Sequence, residues 1–521
     1  MLVKTIHKDV LMESNLRVDE LQELVNRYYQ QDDFNKLLLV INQLLIKDPN
    51  NSEYLTYKLK ALEQLGRATE DIKFVQHYVN SRSTDITGFL LLYRASIERD
   101  DVVSAIFSLV FALSIEPNNE EVISLLLGIL QDVNPEYKRV KINVITTSRI
   151  GHLSLEIEPL FRSLQDKPQD CLYLFLRGGG GIANQYLFGL LEDFSNIIVD
   201  SFWINLYISR PLLLNEFFLA EFPYDNNLML RGVSGDEIFV EGTKKLCHIY
   251  NTYPRFLELP SQDIALAWQL LADKNLYKED KIVCLHVRDS YYLEKNMNRK
   301  DYSYHDFRDA DIGTYKKAIT ELISKGYKVV RIGAETNQQL DLDSPSYIDL
   351  CIDGINEHRD LVEIVLISLC EFFICTTSGP MSTAALFDTP SLIVNAVPFV
   401  HPYFKNSRVI PKRLFQYDIE INLMEVCHGK PLSINDSKPI LFVLTNDELK
   451  NNGYHYVDNT ELEILNAVNE FMNKVDNRVF DQHLTSQQEE YQKRLPDDFI
   501  YKESTSLICD SFLTAYPEIF K

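Results

Sequence analysis

Arg288 stands in the run His286-Val287-Arg288-Asp289, directly after the apolar stretch 282–285. A guanidinium at the carboxyl end of a strand can grip a pyrophosphate through two parallel N–H bonds. There it would offset charge building on a departing diphosphate. Its plainer use is a surface salt bridge with Asp289 or a neighbour. A second cluster, Thr376-Thr377-Ser378-Gly379-Pro380-Met381-Ser382-Thr383, follows the apolar run Phe372–Cys375. Hydroxyls and N–H groups at a helix start suit a phosphate cradle, although N-capping alone needs only one of those hydroxyls. In a third, Gly178 to Gly181 let the backbone approach a phosphate or sugar closely, with Asn184 just beyond. His286, Gly180, Gly181, Asn184, Thr377, Ser378, Gly379, Ser382 and Thr383 are therefore candidate phosphate- or ligand-binding residues beside Arg288. Lys412, in Ile410-Pro411-Lys412-Arg413, adds positive charge or belongs to an ordinary exposed basic pair. Asp306 and Arg308, in the polar aromatic stretch 302–311, either reach a ligand from a loop or cap the helix expected near Thr314. Proton transfer needs a base, and His152, Asp289 and Glu156 are the candidates, in falling order. Gly151 completes that neighbourhood.

These clusters sit where strands should end. Beyond Asn134-Pro135 short apolar runs alternate with amphipathic stretches, the signature of α/β layering. Strands are predicted at 141–146, 171–176, 281–287, 328–332, 347–351, 372–375 and 392–395, with helices at 461–475 and 507–515. Open parallel sheets bind ligands at the carboxyl ends of their strands. The chain before them has another rhythm. Asp48-Pro49-Asn50-Asn51 recurs as Glu116-Pro117-Asn118-Asn119, two tetratricopeptide periods apart. Ala105 and Ala112 occupy the small positions of such a unit, and Phe89 and Leu92 its large ones. Leu37 and Leu44 fit the small positions less well. Three units from about Leu21 to Val133, with a polar break at 81–84, would form a helical platform able to dock a protein segment.

The whole chain has 521 residues, enough for about three domains. Its 24% charged residues carry a net charge of −23, which argues against a nucleic-acid partner while leaving room for a single nucleotide. No apolar stretch is long enough to span a membrane, and the first residues lack a secretory core. Eight cysteines without a CxxC pair read as reduced thiols of a cytoplasmic protein. No metal-ligand spacing stands out. The acidic triplets at 309–311 and 341–343 lie in polar loops, so neither a metal nor another cofactor is expected.

Arg149-Ile150-Gly151-His152-Leu153, the His286–Asp289 strand end, Tyr304-His305-Asp306-Phe307-Arg308 and Thr376–Gly379 together resemble a family of bacterial glycosyltransferases often joined to tetratricopeptide repeats. The resemblance spans roughly residues 140–475, with weaker agreement at Ile410-Pro411-Lys412 and Asp458-Asn459-Thr460. A more distant similarity is to fucosyltransferases of GT-B architecture, through Gly181-Ile182-Ala183-Asn184-Gln185 and His286-Val287-Arg288. It implies an inverting, metal-independent transfer from a nucleotide-diphosphate sugar, with Arg288 on the pyrophosphate and Asn184 near the phosphates or sugar. An inserted Ala183, an extra glycine and Asp289 depart from that pattern and leave the donor's sugar and base open.

The expected fold is thus α/β: a GT-B-like pair of Rossmann-like domains preceded by an all-α tetratricopeptide-like repeat domain. Its expected parts are 1–135, the repeats; 136–275, an acceptor-side domain; 276–445, the nucleotide-sugar domain; and 446–521, a helical tail packing back on them. The expected acceptor is a flagellin-like or other surface protein, or a surface glycan, docked by the repeats, and homo-oligomers are compatible. Two other readings stand beside it. Gly178, Gly180 and Ala183, followed by Asp200, also match a dinucleotide fingerprint, as in an NAD- or FAD-dependent oxidoreductase. A non-catalytic repeat scaffold is the other.

Overall fold

The computed structural model describes residues 16–520 except 82–84, 166–169, 178–179, 210–234, 292–294, 296–302, 335, 353, 356, 398–403, 428–445, 479, 481–483, 498, 500–501 and 503. At 68, 207–209, 235–243, 303–305, 426 and 427 it describes the backbone alone. Gly178, Gly179, Tyr302 and most of the expected polar break at 81–84 lie outside the described residues. The chain is mixed α/β and divides into two compact units.

The first unit comprises Met1–Ile142, Gln169–Leu176 and Asp200–Leu219. It opens with α1 (Val18–Gln30), α2 (Phe34–Lys47), α3 (Ser52–Gln64), α4 (Ile72–Ser81), α5 (Ile86–Ile97), α6 (Val102–Ile115) and α7 (Glu120–Val133). Helices α1, α3, α5 and α7 begin at residues 18, 52, 86 and 120, a constant step of 34. The caps recur with them: the Asn51, Asp85 and Asn119 side chains each accept backbone N–H bonds at the start of α3, α5 and α7. Asp33 and Asp101 do the same for α2 and α6. Each cap satisfies a donor that the first helical turn leaves orphaned, so the chain turns at fixed intervals. Ala105, Ala112 and Phe89 are wholly buried, and so are Leu37 and Leu44, whose larger side chains the structure accommodates.

Two strands, β1 (Arg139–Ile145) and β2 (Cys171–Arg177), are neighbours in a small sheet. The helix Ser201–Ser209 then places Trp203 against α6. Its ring stacks on Phe107 and Phe111 with centroids 5.2 and 5.7 Å apart, and its Nε1 donates to Ser104 Oγ at 3.1 Å. Asp200 caps that helix by accepting from the N–H groups of Phe202 and Trp203. The acid wanted by the dinucleotide fingerprint is therefore engaged in capping.

The second unit comprises Asn143–Pro168, Arg177–Val199 and Ala220–Lys521. It contributes α8 (Ile150–Leu155), α9 (Glu158–Leu164), α10 (Gln185–Glu192), α11 (Arg359–Leu369) and α12 (Gly379–Leu386). Its sheet has seven strands: β3 (Ile282–His286), β4 (Lys328–Arg331), β5 (Tyr347–Asp349), β6 (Phe372–Cys375), β7 (Ser391–Ala396), β8 (Ser407–Pro411) and β9 (Leu507–Ile508). The order is β9-β8-β7-β6-β3-β4-β5 and every pairing is parallel. Strands covered on both faces read as continuous apolar runs, which is why β3 and β6 were legible in the sequence. Val283, Cys284, Leu285, Phe372, Phe373 and Cys375 have no exposed surface.

Two expectations change here. The helix anticipated at 507–515 begins only at Asp510, because Leu507 and Ile508 pair with Arg408 and Val409 and extend the sheet. The tail is also not purely helical, since Tyr454–Val457 pairs antiparallel with Arg413–Gln416. Both segments are short, and their pairing partners lie far away in sequence.

Replacing Trp203 with Ala should destabilise the first unit by ~3–5 kcal/mol, the usual cost of emptying an aromatic site in a core. Equilibrium denaturation followed by helical circular dichroism measures it. A loss below ~1 kcal/mol would mean that the stack on α6 is dispensable.

Candidate functional site

Strand order alone marks one place as special. From β3 the chain winds outward through β4 and β5, then returns to the other side of β3 with β6 and continues through β7 and β8. Between β3 and β6 the connections leave in opposite directions, which opens a crevice beyond the strands' carboxyl ends. His286 pairs with Cys375 at that end, so Val287-Arg288 and Thr376-Thr377-Ser378 emerge side by side. The backbone N–H of Arg288 donates to Thr376 Oγ1 at 3.1 Å, tying the two exits together.

Cationic side chains gather around this point. Arg288 is buried and its guanidinium pairs with Asp309. Arg308, at the end of the short helix Ser303–Arg308, donates to the Thr377 carbonyl at 2.7 Å. Lys412 is buried beneath them; its ammonium donates to the carbonyls of Phe307 at 3.0 Å and Asp309 at 2.6 Å, and pairs with Asp458 at 2.7 Å. Those three partners match the three donors of an ammonium group. Burial pushes its amine below the usual lysine value, while Asp458 pulls in the opposite direction. Lys412 is thus a strut under residues 307–309 and not half of an exposed basic pair.

Glycine–glycine contact fits the next element in place. A Cβ on Gly379 would lie 2.6 Å from Ile150 Cγ2 and 3.0 Å from the Gly151 nitrogen. One on Gly151 would lie 3.2 Å from Gly379 Cα. Starts of α8 and α12 touch backbone to backbone, and deeper in the contact Ser154 Oγ meets Thr383 Oγ1 at 3.0 Å. Farther along, Arg162 of α9 is fully buried and uses all of its fork. It donates to Glu158 at 2.9 Å, to Asp388 at 3.0 Å and to the Leu386 carbonyl at the end of α12 at 2.9 Å. Burial drives the Glu158 carboxyl up to about 7 against the pull of Arg162. Sequence reasoning missed Arg162 and Asp388, which are more than two hundred positions apart with no pattern to link them.

The candidate bases differ in setting. His152 Nδ1 meets Glu156 Oε1 at 2.9 Å, and Glu156 also accepts from the Thr146 N–H. Glu156 is buried, which raises its carboxyl above the usual range, whereas the His152 side chain is 43% exposed. A carboxylate on Nδ1 fixes an imidazole's tautomer and orientation. Asp289 instead accepts from Thr336 Oγ1 and from the Tyr291 N–H, as a loop fastener.

His286 is held differently again. Its Nδ1 meets the Ile332 carbonyl at 3.1 Å, and burial lowers its pKa to about 4. A Cβ on Gly333 would come within 2.7 Å of that nitrogen, at a φ of +134°. Only glycine suits such a backbone so close to a ring, and no motif had marked Gly333.

Asn184 is buried and caps α10, its Oδ1 accepting from the Leu187 N–H at 2.7 Å while its Nδ2 donates to the Asp360 carbonyl at 3.2 Å. Gly180 and Gly181 have open space where a Cβ would stand, with Gly180 at φ +155°. Thr377 Oγ1 accepts from the Val397 N–H at 3.2 Å, and Ser378 Oγ donates to the Thr376 carbonyl at 3.1 Å. Asp309 N–H bonds to the Asp306 carbonyl at 2.9 Å. The structure therefore brings Gly151, Arg288, Arg308, Thr377, Ser378, Gly379, Ser382, Thr383 and Lys412 into one connected neighbourhood.

No family model matches the chain, and no curated protein does. Among solved structures it is similar to ADP-heptose LPS heptosyltransferase II of E. coli, with 14% identity, 64% of this chain and 99% of that one covered, and a TM-score of 0.36. It is also similar to the iron-containing dodecameric glycosyltransferase TibC of enterotoxigenic E. coli, at 15% identity, 66% and 77% coverage and a TM-score of 0.33. For the O-GlcNAc transferase of Thermobaculum terrenum the values are 12%, 72%, 81% and 0.25. These structural neighbours are glycosyltransferases. TibC, which is also described in complex with ADP-D-β-D-heptose, corrects one expectation: since that neighbour is iron-containing, the expectation of no metal is withdrawn. Among the described residues no group of three or more His, Cys, Asp and Glu is placed to hold a metal ion, and no helix is long and apolar enough to cross a membrane. The side chains of seven of the eight cysteines are described, all as free thiols.

Two outcomes follow from this geometry. Gly379→Ala should cost ~1–3 kcal/mol, because the new methyl meets Ile150 and backbone; a variant melting with the wild type would mean that α8 and α12 are not fitted so closely. An unfolded chain protonates His286 near pH 6.5, whereas the folded one resists until about 4. Stability should therefore fall as pH drops through that window and not above it. The melting temperatures of wild type and His286→Gln should converge between pH 6.5 and 4, and a constant difference across pH 4–8 would refute the assignment.

Proposed function

We propose that the protein is a glycosyltransferase that takes its sugar from a nucleotide-diphosphate donor bound at the carboxyl ends of β3 and β6. The observation that carries this reading is the meeting of Arg288 with Thr376–Gly379 at the switch point, joined by the bond from the Arg288 N–H to Thr376 Oγ1. Such a point supplies what a departing diphosphate requires: a guanidinium fork, a second arginine at Arg308, and the N–H groups and hydroxyls that open α12.

His152 is the preferred base. Glu156 holds the imidazole at Nδ1 and so fixes its orientation for taking a proton from an acceptor hydroxyl. Asp289 is less suited, since its carboxylate already fastens Thr336 and Tyr291. Gly180, Gly181 and Asn184 form the other ligand-facing loop of the proposal, with Gly151 and Asp306 beside the acceptor path. The GT-B-like pairing of domains and the four domain boundaries belong to the same proposal. So does a tetratricopeptide-like platform, supported by the 34-residue step of its helices, that would offer a protein or glycan acceptor to a cytoplasmic enzyme.

The test is thermal stabilisation by GDP, UDP, ADP, CMP, TDP and NAD, followed by Arg288→Ala. One nucleoside diphosphate at a hundred times its dissociation constant should add about 2.7 kcal/mol. Arg288→Ala should abolish that shift and lower transfer by ~100-fold or more, since one such contact supplies ~3 kcal/mol. A shift with NAD alone would favour an oxidoreductase. No shift, with partner binding retained in Arg288→Ala, would favour a scaffold.

A further inference from the structure

Arg288 does not await its ligand with an empty guanidinium. Asp309 holds one arm of the fork, and three hydrogen bonds on it and its neighbour keep that stretch of main chain in place. Its N–H donates to the Asp306 carbonyl at 2.9 Å, and its own carbonyl accepts from Lys412 at 2.6 Å. The following residue, Ala310, donates its N–H to the Arg288 carbonyl at 3.1 Å. Main chain and cation are thereby fastened to each other, while the Asp309 side chain keeps 23% of its surface exposed against 10% for Arg288. The carboxylate alone, turning about its two side-chain torsions, can leave the fork without moving the backbone.

We propose that Asp309 is an internal anion that an incoming diphosphate must displace from Arg288, and that it thereby keeps the site from holding an anion that lacks a second anchor. This rests on the diphosphate reading above. An anion entering the fork exchanges one Arg–oxyanion pair for another. It also brings its charge near the displaced carboxylate, and like charges a few ångströms apart repel. A single phosphate gains little from that exchange. A diphosphate can hold Arg288 with one phosphoryl group and reach Arg308 or the Thr376–Gly379 turn with the other, contacts for which Asp309 does not compete. Asp309 thus penalises every anion, but only the longer one recovers the loss elsewhere. Such a built-in repulsive element raises the threshold for every ligand that enters the fork.

Inorganic pyrophosphate and inorganic phosphate are the probes, since neither needs the nucleobase or sugar to be known. Calorimetry at fixed ionic strength would compare wild type, Asp309→Asn and Asp309→Glu. Asp309→Asn should bind phosphate about tenfold tighter, the value of one charge-assisted contact. Pyrophosphate displaces the same carboxylate, so its affinity should rise at least as much. Asp309→Glu keeps the competing charge and should keep affinities near those of the wild type. If Asp309→Asn does not fold, the same comparison is made with Asp309→Ser. Unchanged phosphate and pyrophosphate affinities in a folded neutral variant, with pyrophosphate still bound by wild type, would overturn this proposal alone. Failure of wild type to bind either pyrophosphate or any nucleoside diphosphate would overturn the diphosphate reading, and this inference with it.

Discussion

Parallel adjacency of β3 and β6 is the constraint on which the site of the second unit depends. Two strands remote in sequence, Ile282–His286 and Phe372–Cys375, run side by side in register and end at the same level. Their connections then depart to opposite sides, so no crossover covers the crevice between the two ends. Arg288 and Thr376 reach the same place because the backbone permits nothing else. Residues added later in the chain, Lys412 after β8 and Asp458 beyond it, brace that place from below.

Bracing here is largely ionic and largely buried. Arg162, Lys412, Arg288 and Arg331 all lie below a tenth exposure and each meets a carboxylate, with carbonyl or hydroxyl oxygens beside it for Arg162, Lys412 and Arg331. Burying a lone cation costs several kcal/mol, which is tolerable only when such partners surround it. Replacing either end of one of these pairs would strand the other in a medium that cannot solvate it. They are weak evidence for extra stability but good evidence for fixed geometry, since a guanidinium fork accepts few arrangements of its partners. The Arg162 fork does this for the end of α12, where the Leu386 carbonyl would otherwise lack a helical partner.

Small residues complement the ionic braces. Gly151 against Gly379 lets two helix starts approach at backbone distance, and Gly333 lets a strand exit pass the His286 ring. Sequence inspection had found Gly151 and Gly379 through their neighbours, as parts of polar clusters. Their actual service is steric. It depends on what stands opposite, which no local pattern encodes. Lys412 shows the same limit: beside Arg413 in the sequence it looks like an exposed basic pair, yet it lies buried under three oxygen partners.

What the sequence determined by itself were the features whose physics is local or periodic. Apolar runs flanked by polar turns announced most strands, because a strand covered on both faces is built mainly of apolar residues. A recurring Asp-Pro or Glu-Pro with Asn announced the 34-residue step, because helix caps are read within a few residues of the helix they start. Tertiary structure alone decided which strand ends are neighbours, that Asp309 sits in the Arg288 fork, that Glu156 supports His152, and that Leu507–Ile508 closes an edge of the sheet instead of beginning a helix. Each of those is a pairing between groups whose sequence separation is set by loop lengths, and a parallel fold fixes it only when the strands have taken their order.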